Sequence, residues 1–355
     1  MMSGRELLVQ QHAAEAALMD AEERLDQRDL VVAMEAFDAA QRQGADPNRC
    51  SAGRWMVSML RGDFASAWKE SDAICRRSAP DPHRFWNGEE IRGKSLIVRC
   101  LHGFGDAVQF LRYAPALRSI AKEVIFEVAP RFVELARCFD GVVHVITWGE
   151  GAPRTAPEWD VQMEVTELPY FFRTQVRDLP ITERYLRLPD HVVARVGNEM
   201  GSSARARVGV VWSAGEWNPS RGVPFDQLAP LLESAGCEFW NLQGPEAATQ
   251  DLAYDGLREA RGCRDSILTL AAVICELDLV ITVDTLAAHL AGALGVPSWV
   301  MLQYAADWRW MAHTSLSPWY PSLRLFRQPR PGDWESVIAD VQSALRAWSS
   351  NERGG

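Results

Sequence analysis

The stretch LVITVDTLAAHLAGALGVPSWVML, residues 279–302, decides the fold class. Leu279–Val283 is a short, unbroken apolar run, which reads as a strand buried on both faces. Asp284 ends it, and Thr285–Leu294 follows as a helix of small apolar residues. Gly295 stands where a helix closes on a left-handed residue. Ser298–Leu302 is a second apolar strand. Strand, helix and strand in succession make a βαβ unit, and so a parallel pair.

The same alternation extends toward the N-terminus. Val208–Trp212 and Glu238–Leu242 read as strands, Phe225–Ser234 and Ser266–Leu277 as helices. Before them lies another series: strands Ser95–Leu101, Glu123–Val128 and Val142–Ile146, with helices Ala107–Ile120 and Arg131–Cys138. Residues 147–205, with prolines at 153, 157, 169, 180 and 189, read as irregular, and Trp334–Trp348 as a terminal helix. Two βαβ series predict an α/β protein with two parallel-sheet domains. Ligands in such sheets bind beyond the carboxyl ends of strands.

Residues 5–77 differ in texture. Apolar residues recur at helical spacing, as at Leu18, Ala21 and Leu25. Arg28-Asp29-Leu30 leads to Ala33, Phe37 and Ala40, while Gly62-Asp63-Phe64 leads to Ala67, Ser71 and Ile74, an offset of 34 residues. That is the period of the tetratricopeptide repeat. A plain helical hairpin capping the next domain is the alternative. Residues 78–94, rich in Pro, Arg and Gly, read as a linker.

Bulk properties narrow the function. The chain has 355 residues, is 47% hydrophobic and carries a formal net charge of −10, which argues against a nucleic-acid partner. Its seven cysteines are widely spaced without a C-x-x-C pair, so neither a disulfide framework nor a zinc site is expected. With no apolar leader and no long uncharged apolar run, a reducing cytoplasm and no transmembrane segment are expected.

Three loops are candidates for chemistry. Leu101-His102-Gly103-Phe104-Gly105-Asp106 follows the first strand; its glycines permit a close backbone approach, and Asp106 sits where a helix N-cap belongs. It matches neither the dinucleotide fingerprint nor a Walker loop. Asp284, Thr285 and His289 open the helix after the central strand, where free amides and the dipole suit a diphosphate. Thr285 and His289 share a helical face. Trp212-Ser213-Ala214-Gly215, with Asn218, Ser220 and Arg221, either holds a phosphate or is a polar surface loop. No D-x-D, H-E-x-x-H or G-x-S-x-G occurs, so catalysis without metal or covalent serine is expected.

Residues 85 to about 340 resemble glycosyltransferase family 9, the ADP-heptose heptosyltransferases, closest to a bacterial branch with tetratricopeptide repeats in front. The resemblance rests on Gly103–Asp106 with Gln109, Phe110, Arg112 and Tyr113, on Val283–Thr285 with Ala288–Gly295, and on Asp307-Trp308-Arg309-Trp310. It continues through Ser317–Pro321 and Arg324–Gln328. The resemblance implies a GT-B fold of two Rossmann-like domains behind a small all-α module. It implies a module at 1–80, an acceptor domain at 81–190, a donor domain at 191–332, and a final helix at 333–355 folded back on the acceptor domain. It further implies metal-independent inversion with Asp106 as base, in the glycine loop of Gly103 and Gly105. Ser213, Arg221, Gln243, Asp284, Thr285 and His289 would bind the nucleotide-diphosphate sugar, a co-substrate, with no cofactor. His102, Gln109, Arg112, Asp307 and Trp308 would serve the acceptor or support the site.

Departures from the family pattern fall in the donor half: the short Ser213–Arg221 loop, Leu242-Gln243-Gly244-Pro245, and Leu316 where relatives often have Asp. The leading expectation is transfer to a protein or peptide hydroxyl, captured by the helical module. The alternatives are a lipopolysaccharide or other glycan acceptor, and a binding module of this fold without catalysis.

Overall fold

The run at 279–283 is a strand buried at every position, as its lack of alternation predicts. A computed structural model describes residues 4–77, 86, 88–149, 158–180, 183–215, 218–233, 236–244 and 256–352. Much of the linker at 78–94, together with Pro153, Pro157 and Pro245, lies outside the described residues.

The chain divides into two units. One comprises Met1–Phe85, Pro169–Leu179 and Ala305–Thr314. Its helices are α1 (Gly4–Asp26), α2 (Leu30–Arg42), α3 (Pro47–Leu60) and α4 (Phe64–Arg77), paired as successive hairpins. The 34-residue offset has a physical counterpart. Arg28 and Gly62 both adopt left-handed backbone, at φ of 60° and 76°, and Asp29 and Asp63 each cap the helix that follows. Ala33, Phe37, Ala40 and Ala67 are fully buried. Gly53 of α3 lies beneath Phe37, with the Phe37 ring in the place a Cβ would need.

Asp307 and Trp308, expected to serve the acceptor or support the site, belong to the segment 305–314 of this helical unit. Trp308 packs edge-on against Trp55 and Phe64, at 5.7 and 6.4 Å between ring centroids, and Ala312 donates to the Leu60 carbonyl. An indole gains more from an aromatic pocket than from a wet cleft.

The second unit comprises Trp86–Leu168, Pro180–Tyr304 and Ser315–Gly355. Its first sheet uses β1 (Ser95–Arg99), β2 (Glu123–Val128), β3 (His144–Thr147) and β4 (Val161–Glu164) in the order β3-β2-β1-β4, all parallel. Strand β4 falls inside the stretch expected to be irregular, and so does α9 (Asp190–Met200). At four residues, β4 is too short to show a strand period. The expected helix 107–120 is two: α5 (Phe104–Phe110) and α6 (Ala114–Ile120), separated by a tight 3-10 turn at Leu111–Tyr113. Pro115, at the start of α6, cannot donate to a preceding turn, so the helix restarts there. The other helix of this half is α7 (Val133–Ala136), while α8 (Leu168–Phe171) falls, but for its first residue, in the segment 169–179 of the helical unit.

The second sheet has six parallel strands in the order β10-β9-β8-β5-β6-β7. These are β5 (Ala206–Val211), β6 (Cys237–Asn241), β7 (Leu257–Arg258), β8 (Leu279–Val283), β9 (Ser298–Leu302) and β10 (Leu323–Arg327). Helices α10 (Phe225–Leu232), α11 (Ile267–Cys275) and α12 (Leu286–Leu294) cover it. The last helix, α13 (Trp334–Glu352), packs chiefly on α10 and β10. Val337, Ile338, Val341 and Leu345 form its buried face.

In each sheet the strand order reverses once, between β1 and β4 and between β5 and β8. Such reversals open a crevice at the carboxyl ends of the strands. The loops singled out from sequence leave these strands: residues 101–106 follow β1, 212–221 follow β5, and 284–285 follow β8.

Candidate functional site

At the first crevice, α5 begins at Phe104 and its N-cap is Gly103. Asp106 is thus the third helical residue, not the cap expected from sequence. Its Oδ2 accepts from the Gly103 amide at 3.2 Å, satisfying one orphan donor of the helix start. The structural role of this carboxylate is real, and it is half-buried rather than sealed.

Two acidic residues escaped the sequence reading. Glu164, at the end of β4, accepts from the Leu101 amide at 3.2 Å and from the Thr166 amide and hydroxyl. It therefore braces the glycine loop. Exposed His102 lies 3.9 Å from the same carboxylate. Glu167 follows in the 3-10 turn Val165–Glu167 packed on α5, and among the described residues its buried Oε2 has no hydrogen-bond partner. Burial pushes the Glu167 carboxyl up to about 6, and the charge of Glu164 adds to that. The signal for both lay in a strand too short to recognise.

At the second crevice, Thr285 is the N-cap of α12, but its side chain caps nothing. Its hydroxyl turns back to Thr282 Oγ1 at 3.1 Å and to the Val283 carbonyl, so this side chain does not occupy the first-turn amides. Arg221 is brought to this turn: Nη1 donates to the Asp284 carbonyl at 2.9 Å and lies 3.9 Å from its carboxylate. Ser220 donates to Gln303 at the end of β9, at 2.6 Å. The 212–221 loop is therefore tied to the β8–α12 turn and is not a free surface loop. Ser213 is half-buried beside it, its amide donating to Gln243 Oε1 at 3.1 Å. Gln243 also accepts from the Trp212 amide and is only 2% exposed, so its side-chain oxygen pins the end of β5.

Helices α5 and α12 pack directly on each other. Gly105 is the reason they can: a Cβ there would lie 2.7 Å from His289 Cδ2. The close approach expected of this glycine is to the histidine ring. His289 is 6% exposed, and its Nδ1 lies 2.9 Å from the Tyr320 hydroxyl. Gly292 in turn accommodates the Tyr320 ring, which would sit 2.3 Å from a Cβ there.

Gln109 and Arg112, expected to serve the acceptor or support the site, are both buried. Gln109 is fully buried, and among the described residues neither end of its side-chain amide has a hydrogen-bond partner. Arg112 donates to the Gln109 and Trp319 carbonyls and to the Tyr185 hydroxyl, at 2.7, 2.7 and 3.0 Å. Its guanidinium lies 4.7 Å from the ring centres of Tyr185 and Tyr320. Hydrogen bonds from a charged donor contribute about 1.5–3 kcal/mol each, and desolvated cation–π contacts about 2 kcal/mol. These offset the several kcal/mol lost on burying the charge.

The fold has known counterparts. No family model matches the chain. Protein FlbA of Caulobacter vibrioides is 26% identical over 365 residues, covering 92% of this chain and 60% of that protein. The chain thus spans about three fifths of the length of that curated relative. Among solved structures, a glycosyl transferase of family 9 from Veillonella parvula matches with a TM-score of 0.53 at 10% identity, covering 74% of this chain and 91% of that one. An ADP-heptose lipopolysaccharide heptosyltransferase II from E. coli matches with a TM-score of 0.50 at 14% identity, covering 73% and 99%. At these identities the likeness is one of fold: two parallel α/β sheets, as in glycosyltransferases of family 9.

Proposed function

We propose that this chain is a metal-independent, inverting glycosyltransferase that moves a sugar from a nucleotide-diphosphate sugar to a hydroxyl of a protein or peptide. One observation carries the reading: two parallel sheets present their reversal-point loops through one seam, α5 against α12. The first sheet brings carboxylates and the second brings an uncapped helix start with Arg221.

The chemistry divides accordingly. The acceptor oxygen attacks the anomeric carbon from the face opposite the diphosphate. The new C–O bond forms as the bond to the diphosphate breaks, and the acceptor proton passes to Asp106. The departing diphosphate takes the electron pair, and its charge is met by the α12 amides and Arg221. Among relatives of the fold, the E. coli enzyme is named for ADP-heptose, which supports a nucleotide-sugar donor.

For the acceptor, support comes from the helical unit. Its 34-residue offset, with matched left-handed turns at Arg28 and Gly62, supports a tetratricopeptide-like module. A depression of about 450 Å³ between α2, α3 and α4, lined by Asp38, Gln41, Arg42, Arg54 and Glu70, offers a polar peptide both charge signs. Among the described residues no helix is long and apolar enough to cross a membrane, and a cytoplasmic location accords with seven free cysteines.

The test is a donor screen by mass spectrometry on a candidate acceptor co-expressed with the full chain, beside Asp106→Ala. Transfer by the wild type that is lost in Asp106→Ala with nucleotide affinity retained is expected. Full turnover by the variant removes Asp106 as base, and no nucleotide binding by the wild type refutes the transferase reading.

A further inference from the structure

Arg112 is a buried cation with no counter-ion. Its guanidinium donates to two carbonyls and a phenol and lies against aromatic rings. Among the described residues no carboxylate pairs with it. A chain that needed Arg112 only for packing could carry an apolar residue there, because replacing a buried charge by well-packed apolar groups is often neutral for stability. Its surroundings lead in one direction. Tyr320 lies between the guanidinium and His289, held by its ring on Gly292 and its hydroxyl at His289 Nδ1. Burial pushes the Tyr320 phenol well above its ordinary value, so it stays a neutral hydrogen-bonding link. His289 sits one turn inside α12, whose uncapped start is the candidate anion site.

We propose that the missing counter-ion of Arg112 is the ligand itself: Arg112 is a positioning residue whose charge, reaching through Tyr320 and His289, attracts the diphosphate bound at the start of α12. This rests on the donor reading above and deepens it. The charge stands on the first half of the α/β unit and the anion on the second, so binding the diphosphate also tightens the α5–α12 seam. Arg112 needs no contact with the ligand. In a dry seam, a unit charge felt across roughly 10 Å at an effective dielectric near 20 alters a binding constant by about tenfold.

The experiment is calorimetric titration of the full chain with ADP and with inorganic pyrophosphate, paired with melting curves, for wild type, Arg112→Met, Arg112→Lys and Tyr320→Phe. The expected result is about tenfold weaker binding in Arg112→Met, measured on protein that the melting curve shows to be folded. Arg112→Lys is expected to recover part of the affinity. High salt should shrink the effect of Arg221→Ala, at the open turn, more than that of Arg112→Met. Lowered melting with unchanged affinity in the folded protein overturns the proposal and leaves Arg112 structural. Should Arg112→Met fail to fold, Arg112→Lys and Tyr320→Phe decide: wild-type affinity in both overturns it, weakened affinity in both supports it. Wild-type protein that binds neither probe refutes the donor reading and this proposal together. Binding by wild type with no change in any variant refutes this proposal alone.

Discussion

Replacing Gly105 by alanine tests the seam most directly. The added methyl would lie 2.7 Å from His289 Cδ2 and 3.3 Å from Nε2, against ordinary carbon contacts of about 3.5–4.0 Å. His289 cannot retreat freely, because it is 6% exposed and bonded to Tyr320, whose ring rests on Gly292. Overpacking of this kind costs about 1–3 kcal/mol. The gain in helix propensity from Gly to Ala returns up to about 1 kcal/mol. A net loss of about 1–2 kcal/mol follows, which lowers the melting temperature of a unit this size by about 2–6 °C. The assay is differential scanning calorimetry, with Gly93→Ala as control, since a Cβ at Gly93 meets nothing within 4 Å. His289→Ala in the same chain should remove most of the penalty, because the colliding ring has gone. A Gly105→Ala protein as stable as wild type, or a penalty that persists without the His289 ring, would show that α5 and α12 are not packed this way.

Three further outcomes are expected. Asp106→Asn keeps an oxygen to accept from Gly103, so it should melt within about 0.5 kcal/mol of wild type yet lose transfer, whereas Asp106→Ala also loses about 1 kcal/mol of cap. Equal activity of Asn and Asp at 106 in a turnover assay counts against a base there. Arg221→Ala and His289→Ala should each weaken ADP binding about tenfold by titration, and unchanged affinity in both would remove the diphosphate site from α12. Glu167 holds its proton more tightly folded than unfolded, so its contribution to stability is full below about pH 4.5 and is lost as pH rises through about 6. Glu167→Gln should therefore stabilise the neutral-pH protein by about 1 kcal/mol, after allowance for solvent, and flatten denaturation midpoints across that window. An unchanged pH slope would mean that Glu167 titrates normally.

The legible parts of this chain were those with a long period. Buried runs at 208–212, 279–283 and 298–302 announced the second sheet, and the Ala-rich helix ending at Gly295 took its expected left-handed turn, at φ 73°. What escaped was short or non-local. Strand β4 has four residues and alternates in burial, so nothing marked it apart from loop, and Glu164 and Glu167 went with it. Arg112 was expected to serve the acceptor or support the site, and nothing in the sequence showed that it is buried, since a charged residue ordinarily is not. Only the three-dimensional meeting of Tyr185, Trp319 and Tyr320 makes a place for it. Asp307 and Trp308 lay in a tryptophan-dense string whose partners, Trp55 and Phe64, are some 250 residues away in sequence.

The helical unit is not a bead on a string. The chain passes between the two units five times, and residues 169–179 and 305–314 complete the helical one. A gene cut near codon 80 would strand Trp55 and Phe64 without the indole that covers them. This front piece therefore cannot be traded between proteins by simple recombination. It must be inherited, trimmed and engineered together with two distant loops.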